Sequence, residues 1–169
     1  MKNIYFSSNP AVTANLTKEE GGFITKGWEL TSTEWNLEQL TEMAKTMSYI
    51  PSKLKDGRRN EESVIEIYFL PLDFDKGTPT IQEFKDSHDK EPYSYFIHTT
   101  TSHQKYIYNE DEVIPPHDRF RVMIPLKRPI SKAELKQIKE IFVEKYPIID
   151  TSCFLGSRYF MDTFQQISL

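Results

Sequence analysis

The chain has 169 residues, 38% hydrophobic and 13% aromatic, with a formal net charge of −4. That length suits one ordinary domain, and large rings that each bury roughly 150–250 Å² make a sizeable core available. Collagen, coiled-coil and low-complexity chains are excluded. No apolar run approaches the ~20 residues of a membrane span, and Met1–Phe6 has no leader-like apolar stretch. The one cysteine, Cys153, can build no disulfide framework and reads as a small buried hydrophobe. A soluble, cytoplasmic domain without a membrane partner is expected. A mildly acidic chain is not a general nucleic-acid coat, because phosphate binding rests on basic side chains.

Along the chain, residues 1–30 show no clear period. Thr33 then precedes Trp35, Leu37, Leu40, Met43 and Ala44, whose spacing predicts an amphipathic helix to about Met47. Pro51 to Glu62 is polar, carries Lys53, Lys55, Arg58 and Arg59, and reads as a loop whose plain alternative is a solvated basic surface. Ser63 to Asp75 has the β-branched and aromatic content of a strand, apolar on both faces in its later half as in a covered central strand. Pro71 predicts a bulge or the end of a ladder there. Thr78 or Thr80 caps a short helix through Ile81, Phe84 and Lys85, and Tyr93 to Thr100 is the next strand. Ser102 to Pro116 reads as a polar loop that includes Glu110, Asp111 and Glu112. Arg119 to Leu126 is a strand closed by Pro129. Ser131 and Glu134 form a capping box that opens a helix reaching Tyr146, where Pro147 stops it. The tail from Ile148 to Met161 holds one or two short strands. This order implies a single α+β domain with helices packed on a mixed or antiparallel sheet.

Four constellations carry chemistry. In Leu72-Asp73-Phe74-Asp75 the strand alternation puts both carboxylates on one side. Two such groups repel each other, and a divalent cation relieves them while leaving room for substrate phosphates. The plain alternative is two surface aspartates at a strand end. Thr99-Thr100-Thr101-Ser102-His103 follows a strand and offers hydroxyls, turn N–H groups and an imidazole to a phosphate, or is simply a Thr-rich strand end. Arg119 and Arg121 share one strand face opposite Phe120, Val122, Ile124 and Leu126. Their guanidinium forks suit phosphate, or they pair with Asp118 or neighbouring acids. Asp150, after Ile148 and Ile149, offers a third carboxylate; Asp162, after Met161, is its rival.

The apolar strand into Asp73-Phe74-Asp75, the small-residue–His pattern Thr101-Ser102-His103, and Ile149-Asp150 occur in the order that marks the catalytic core of the archaeo-eukaryotic primase superfamily. With the Arg-Phe-Arg strand and the later Ser157-Arg158, the chain resembles the primase-polymerase domains of phages and plasmids over residues 50–162. Residues 1–50 stand outside the resemblance as an N-terminal αβ extension. The resemblance implies an RRM-like sheet joined to an αβ unit, and a nucleotidyltransferase that makes or extends a strand on a DNA template from NTPs or dNTPs. It also implies two Mg²⁺ or Mn²⁺ ions held by Asp73, Asp75 and Asp150. Phosphate contacts would come from Thr101, Ser102 and His103, with charge neutralised by Arg119, Arg121 and Arg158. Lys53, Lys55, Arg58 and Arg59 are the candidates for the template, which is single-stranded or primed DNA. A replicative helicase is an implied partner, and the host-cell cytoplasm the implied location.

The rival from another class is a non-catalytic module that binds an origin or single strand on an RRM-like sheet through exposed aromatics. A rolling-circle nickase wants two histidines separated by one residue, which His88, His98, His103 and His117 do not provide. A glycosyltransferase also uses paired carboxylates, but 169 residues leave little room for an acceptor domain.

Overall fold

The computed structural model describes residues 3–13, 16–108, 112–160 and the backbone of 167–168. The strands are β1 (Asn3–Ser8), β2 (Glu29–Glu34), β3 (Tyr49–Ile50), β4 (Ser52–Leu54), β5 (Val64–Phe74), β6 (Phe96–Thr99), β7 (Ile107–Tyr108), β8 (Val113–Ile114), β9 (Phe120–Ile130) and β10 (Ile167–Ser168). The helices are α1 (Lys18–Phe23), α2 (Leu37–Thr46), α3 (Ile81–His88) and α4 (Lys132–Lys145), with short 3-10 turns at Lys55–Gly57, Glu61–Ser63 and Thr151–Phe154. Every described strand pair is antiparallel, in sheets ordered β2-β1-β3, β10-β6-β9-β5-β4 and β7-β8. The fold is therefore α+β, as the alternation of elements implied.

The two 11-residue strands β5 and β9 form the spine. Ile67, Phe69, Leu70, Leu72 and Phe74 are all buried, so both faces of β5 are covered and its near-continuous apolar run is explained. A single cluster of buried side chains runs from Ile4 to Phe160 and takes in residues from both larger sheets. Tyr49, at the end of the expected N-terminal extension, packs on Phe69 and Phe160 within that cluster.

Several local expectations are corrected. The unpatterned first 30 residues contain β1, α1 and the start of β2, because a half-buried strand such as β1 alternates over too few residues to stand out. The first amphipathic helix begins later than its period suggested: Thr33 and Glu34 pair with Ile4 and Asn3 in β2, and the side chain of Asn36 caps α2 by accepting from the Gln39 N–H. The basic segment after Pro51 is β4 followed by 3-10 turns, with Lys53 opposite Glu66. Pro71 neither bulges nor ends the ladder, since it sits opposite Met123; the irregularity lies between Ile67 and Phe69. β9 runs through Pro125 to Ile130, and the 102–116 loop contains the β7–β8 hairpin. The tail has a 3-10 turn, a bridge between Tyr49 and Phe160, and β10. Thr80 and Ser131 do open α3 and α4 through capping boxes. No helix among the described residues is long and apolar enough to cross a membrane.

Candidate metal centre

The C-terminal ends of β5 and β6 and the start of β9 meet at one end of the five-stranded sheet. Cross-strand register sets Asp73 opposite Arg121, and Arg121 opposite His98. Asp75 lies just past the end of β5. Asp150 arrives from the loop after α4, where its N–H donates to the Asp73 carbonyl at 3.1 Å. Its carboxylate caps the Thr151–Phe154 turn, accepting from the Ser152 N–H at 2.9 Å and the Ser152 hydroxyl at 2.8 Å.

This brings one carboxylate oxygen each of Asp73, Asp75 and Asp150 within 4.8 Å of one another. Asp73 is buried, Asp150 half-buried and Asp75 exposed, so the cluster opens from the protein interior to solvent. The rival acid, Asp162, lies outside the described residues, as do Glu110 and Asp111.

Arg121 Nη2 donates to Asp73 Oδ2 at 3.1 Å in a nearly dry setting, with the two side chains only 10% and 4% exposed. The guanidinium also stands 4.2 Å over the Phe160 ring. Burial alone would lower the Arg121 pKa, but the Asp73 carboxylate and the nearby Tyr49 hydroxyl outweigh it and hold the pKa above the ordinary arginine value. Tyr49 is itself pushed up to about 12 by burial, and its hydroxyl lies 2.9 Å from His98 Nε2. Despite this company, Asp73 Oδ1, Arg121 Nε and Arg121 Nη1 are buried without a hydrogen-bond partner, as is Arg158 Nε. No other such side-chain atom occurs among the described residues. Unpaired buried polar atoms cost roughly 1–3 kcal/mol each, and here they gather beside three converging carboxylates. An oxygen-ligated divalent cation with attached phosphates fits that donor set.

The other expected residues are placed as follows. Arg119 points into the turn after β6, where Nη1 donates to the Ser102 carbonyl at 2.6 Å and the Lys105 carbonyl at 3.2 Å. His103 is buried and its Nδ1 accepts from the Arg119 N–H at 3.2 Å. Thr101 is exposed and Ser102 half-buried on the same turn. Asp118 bonds neither arginine; it accepts from the Ile81 N–H at 2.8 Å and from Gln104 Nε2 at 2.7 Å. Arg158 Nη2 stands 4.0 Å from Asp150 Oδ2. Of the basic four, Lys55 and Arg58 are exposed and Lys53 half-buried. Arg59 donates to the Gly22 and Ile24 carbonyls and stacks 4.7 Å over Tyr159, so its guanidinium ties α1 to the body. Cys153 is buried, which pushes its thiol up to about 12 and makes it a poor nucleophile.

Sequence reasoning missed Tyr49, His98 and His117. His117 Nε2 lies 2.8 Å from the Asp75 carbonyl and so holds the loop that carries Asp75. Its ring packs against Gly77, where φ is +81° and a Cβ would fall 3.0 Å from the ring, so a side chain there would be strained. A histidine inside an otherwise apolar strand is the one local signal that could have marked His98.

An antiparallel α+β domain with a half-buried carboxylate cluster at one sheet end is thus the class that fold and site define. The family profile described as the VapE N-terminal domain matches residues 31–161, which include all three carboxylates, Arg121 and Tyr49. The chain belongs to this family of phage- and plasmid-type replication-associated proteins. No curated protein and no solved structure matches it significantly.

Proposed function

We propose that the chain is a DNA-directed nucleotidyltransferase, a primase-polymerase core of the archaeo-eukaryotic primase type that acts in phage or plasmid replication. The observation that carries this reading is the approach of Asp73, Asp75 and Asp150 to within 4.8 Å, with Asp73 Oδ1 buried and unpartnered. In this reading the three carboxylates hold two Mg²⁺ or Mn²⁺ ions, which when bound acidify the primer 3′-hydroxyl and neutralise the departing pyrophosphate.

The protein's own residues supply binding and orientation. Arg121, held by Asp73 and Phe160, lies beside the carboxylates with Nε and Nη1 buried and unpartnered, and its charge neutralises the phosphates of the incoming nucleotide. Arg158 reaches the same charge from beside Asp150. The Thr101-Ser102-His103 turn contacts the triphosphate. Arg119 acts through that turn as a positioning residue, because its guanidinium is spent on the Ser102 and Lys105 carbonyls. Exposed Lys55 and Arg58, with Lys53, lie on the segment assigned to the template.

The deciding experiment is nucleotide incorporation on a primed DNA template with Mn²⁺ and either dNTPs or NTPs. Wild-type protein should extend the primer, and Asp75→Asn should not. A wild-type chain that shows neither incorporation nor a Mn²⁺-induced rise in Tm overturns the reading and favours a non-catalytic nucleic-acid-binding module.

A further inference from the structure

A second concave feature lies away from the carboxylates, where the start of β1, the middle of β5 and the far end of β9 come together. It is a cleft of about 440 Å³ walled by Tyr5, Trp35, Tyr68 and Tyr93, with three prolines in its lining and Lys127 and Arg128 at its edge. The Tyr5 and Tyr68 rings pair at 5.5 Å between centroids. Tyr5 is 44% exposed, and neither Tyr68 nor Trp35 is fully buried, so ring faces remain open to the cleft. Its lining contains two cations and no acid among the described residues. Arg128 is 69% exposed and bonded to Glu134. Such surface pairs are worth little, so its charge can be shared with a phosphate.

We propose that this cleft takes an unpaired base of a single-stranded nucleic acid, stacked among the tyrosines and Trp35, with the adjoining phosphates at Lys127 and Arg128. Open aromatic faces favour any base, and the cationic rim without lining acids favours its phosphodiester over an acidic or neutral peptide. Tyr68 stands five residues before Asp73 on β5, about 17 Å along the strand. The site serves a replication-associated domain whether or not the carboxylates perform nucleotidyl transfer.

The test uses the full chain and a fluorescein-labelled (dT)12 oligonucleotide, with binding read by anisotropy in EDTA so that divalent metal plays no part. Tyr5→Ala with Tyr68→Ala should weaken binding about tenfold, while Tyr5→Phe with Tyr68→Phe should leave it within twofold of wild type. Tyr5→Ala alone, at an exposed position, is the deciding variant if the double change lowers Tm. Bound (dT)12 should also quench Trp35 fluorescence. Wild-type affinity in Tyr5→Ala and the double variant overturns the proposal, as does an absence of (dT)12 binding. Incorporation on a primed template and the Mn²⁺-induced change in Tm are measured in parallel: a chain that binds (dT)12 through the cleft yet shows neither supports this site and sinks the polymerase reading.

Discussion

Two buried polar clusters, one packed against β5 and β9 and one on them, are built on opposite terms. Around His88, Nδ1 lies 2.8 Å from the Phe84 carbonyl, Nε2 lies 3.1 Å from the Tyr146 hydroxyl, and the ring stacks on Phe84 at 4.0 Å. Both ring nitrogens have partners, and Tyr93, Tyr95 and Tyr146 rings wall the site. Around Asp73 and Arg121, three buried atoms have none. A satisfied network specifies packing; a half-satisfied one is costly and persists where a ligand completes it. The difference separates a histidine satisfied within the core from an ion pair whose open atoms support the proposed site.

The largest effect that would break this contrast is on activity. Asp75→Asn removes a charge from an exposed position, so Tm should stay within about two degrees while Mn²⁺-dependent incorporation falls at least about 100-fold, since ~1.4 kcal/mol is already tenfold. An unchanged rate would return the three aspartates to a structural role.

Next comes stability. Simple repulsion between Asp73 and Asp75 would let neutralisation of Asp73 leave stability unchanged or slightly raised. The Arg121 pair reverses that expectation: Asp73→Ala strands a buried guanidinium and should cost about 3–5 kcal/mol by urea denaturation. Combining it with Arg121→Met should recover much of the loss, because the unpaired charge is then gone. Strict additivity of the two changes would show that the pair is not coupled.

A smaller effect concerns pH. Burial holds the His88 pKa below its ordinary value, so the unfolded chain takes up the proton more readily than the folded one. Stability from this group is full above about pH 6.5 and is lost as pH falls below it. Tm should drop between pH 7.5 and pH 5.5, and His88→Gln should flatten that drop; an identical slope in the variant would remove His88 as its source.

The smallest effect separates the basic residues. Lys53→Ala, Lys55→Ala and Arg58→Ala together should leave Tm nearly unchanged and reduce the salt dependence of DNA binding by about one unit per lost phosphate contact. Arg59→Ala should instead lower Tm, because its guanidinium holds the Gly22 and Ile24 carbonyls. The reverse pattern would make Arg59 the template contact.

What the amino-acid sequence determined by itself is local. The apolar run before Asp73 foretold a covered strand, alternation put Asp73 and Asp75 on one side, and the cap candidate Thr80 and the capping box at Ser131 foretold two helix starts, because these patterns act within a few residues. The three aspartates were legible as ligand types for the same reason. Only the tertiary structure decided that Arg121 is bound by Asp73, 48 residues away, and that Arg119, two residues earlier, is consumed by the turn at Ser102. It alone brought Tyr49 and His98 to the site and set Asp150 beside Asp73, since antiparallel register is fixed by packing across strands rather than by any local signal.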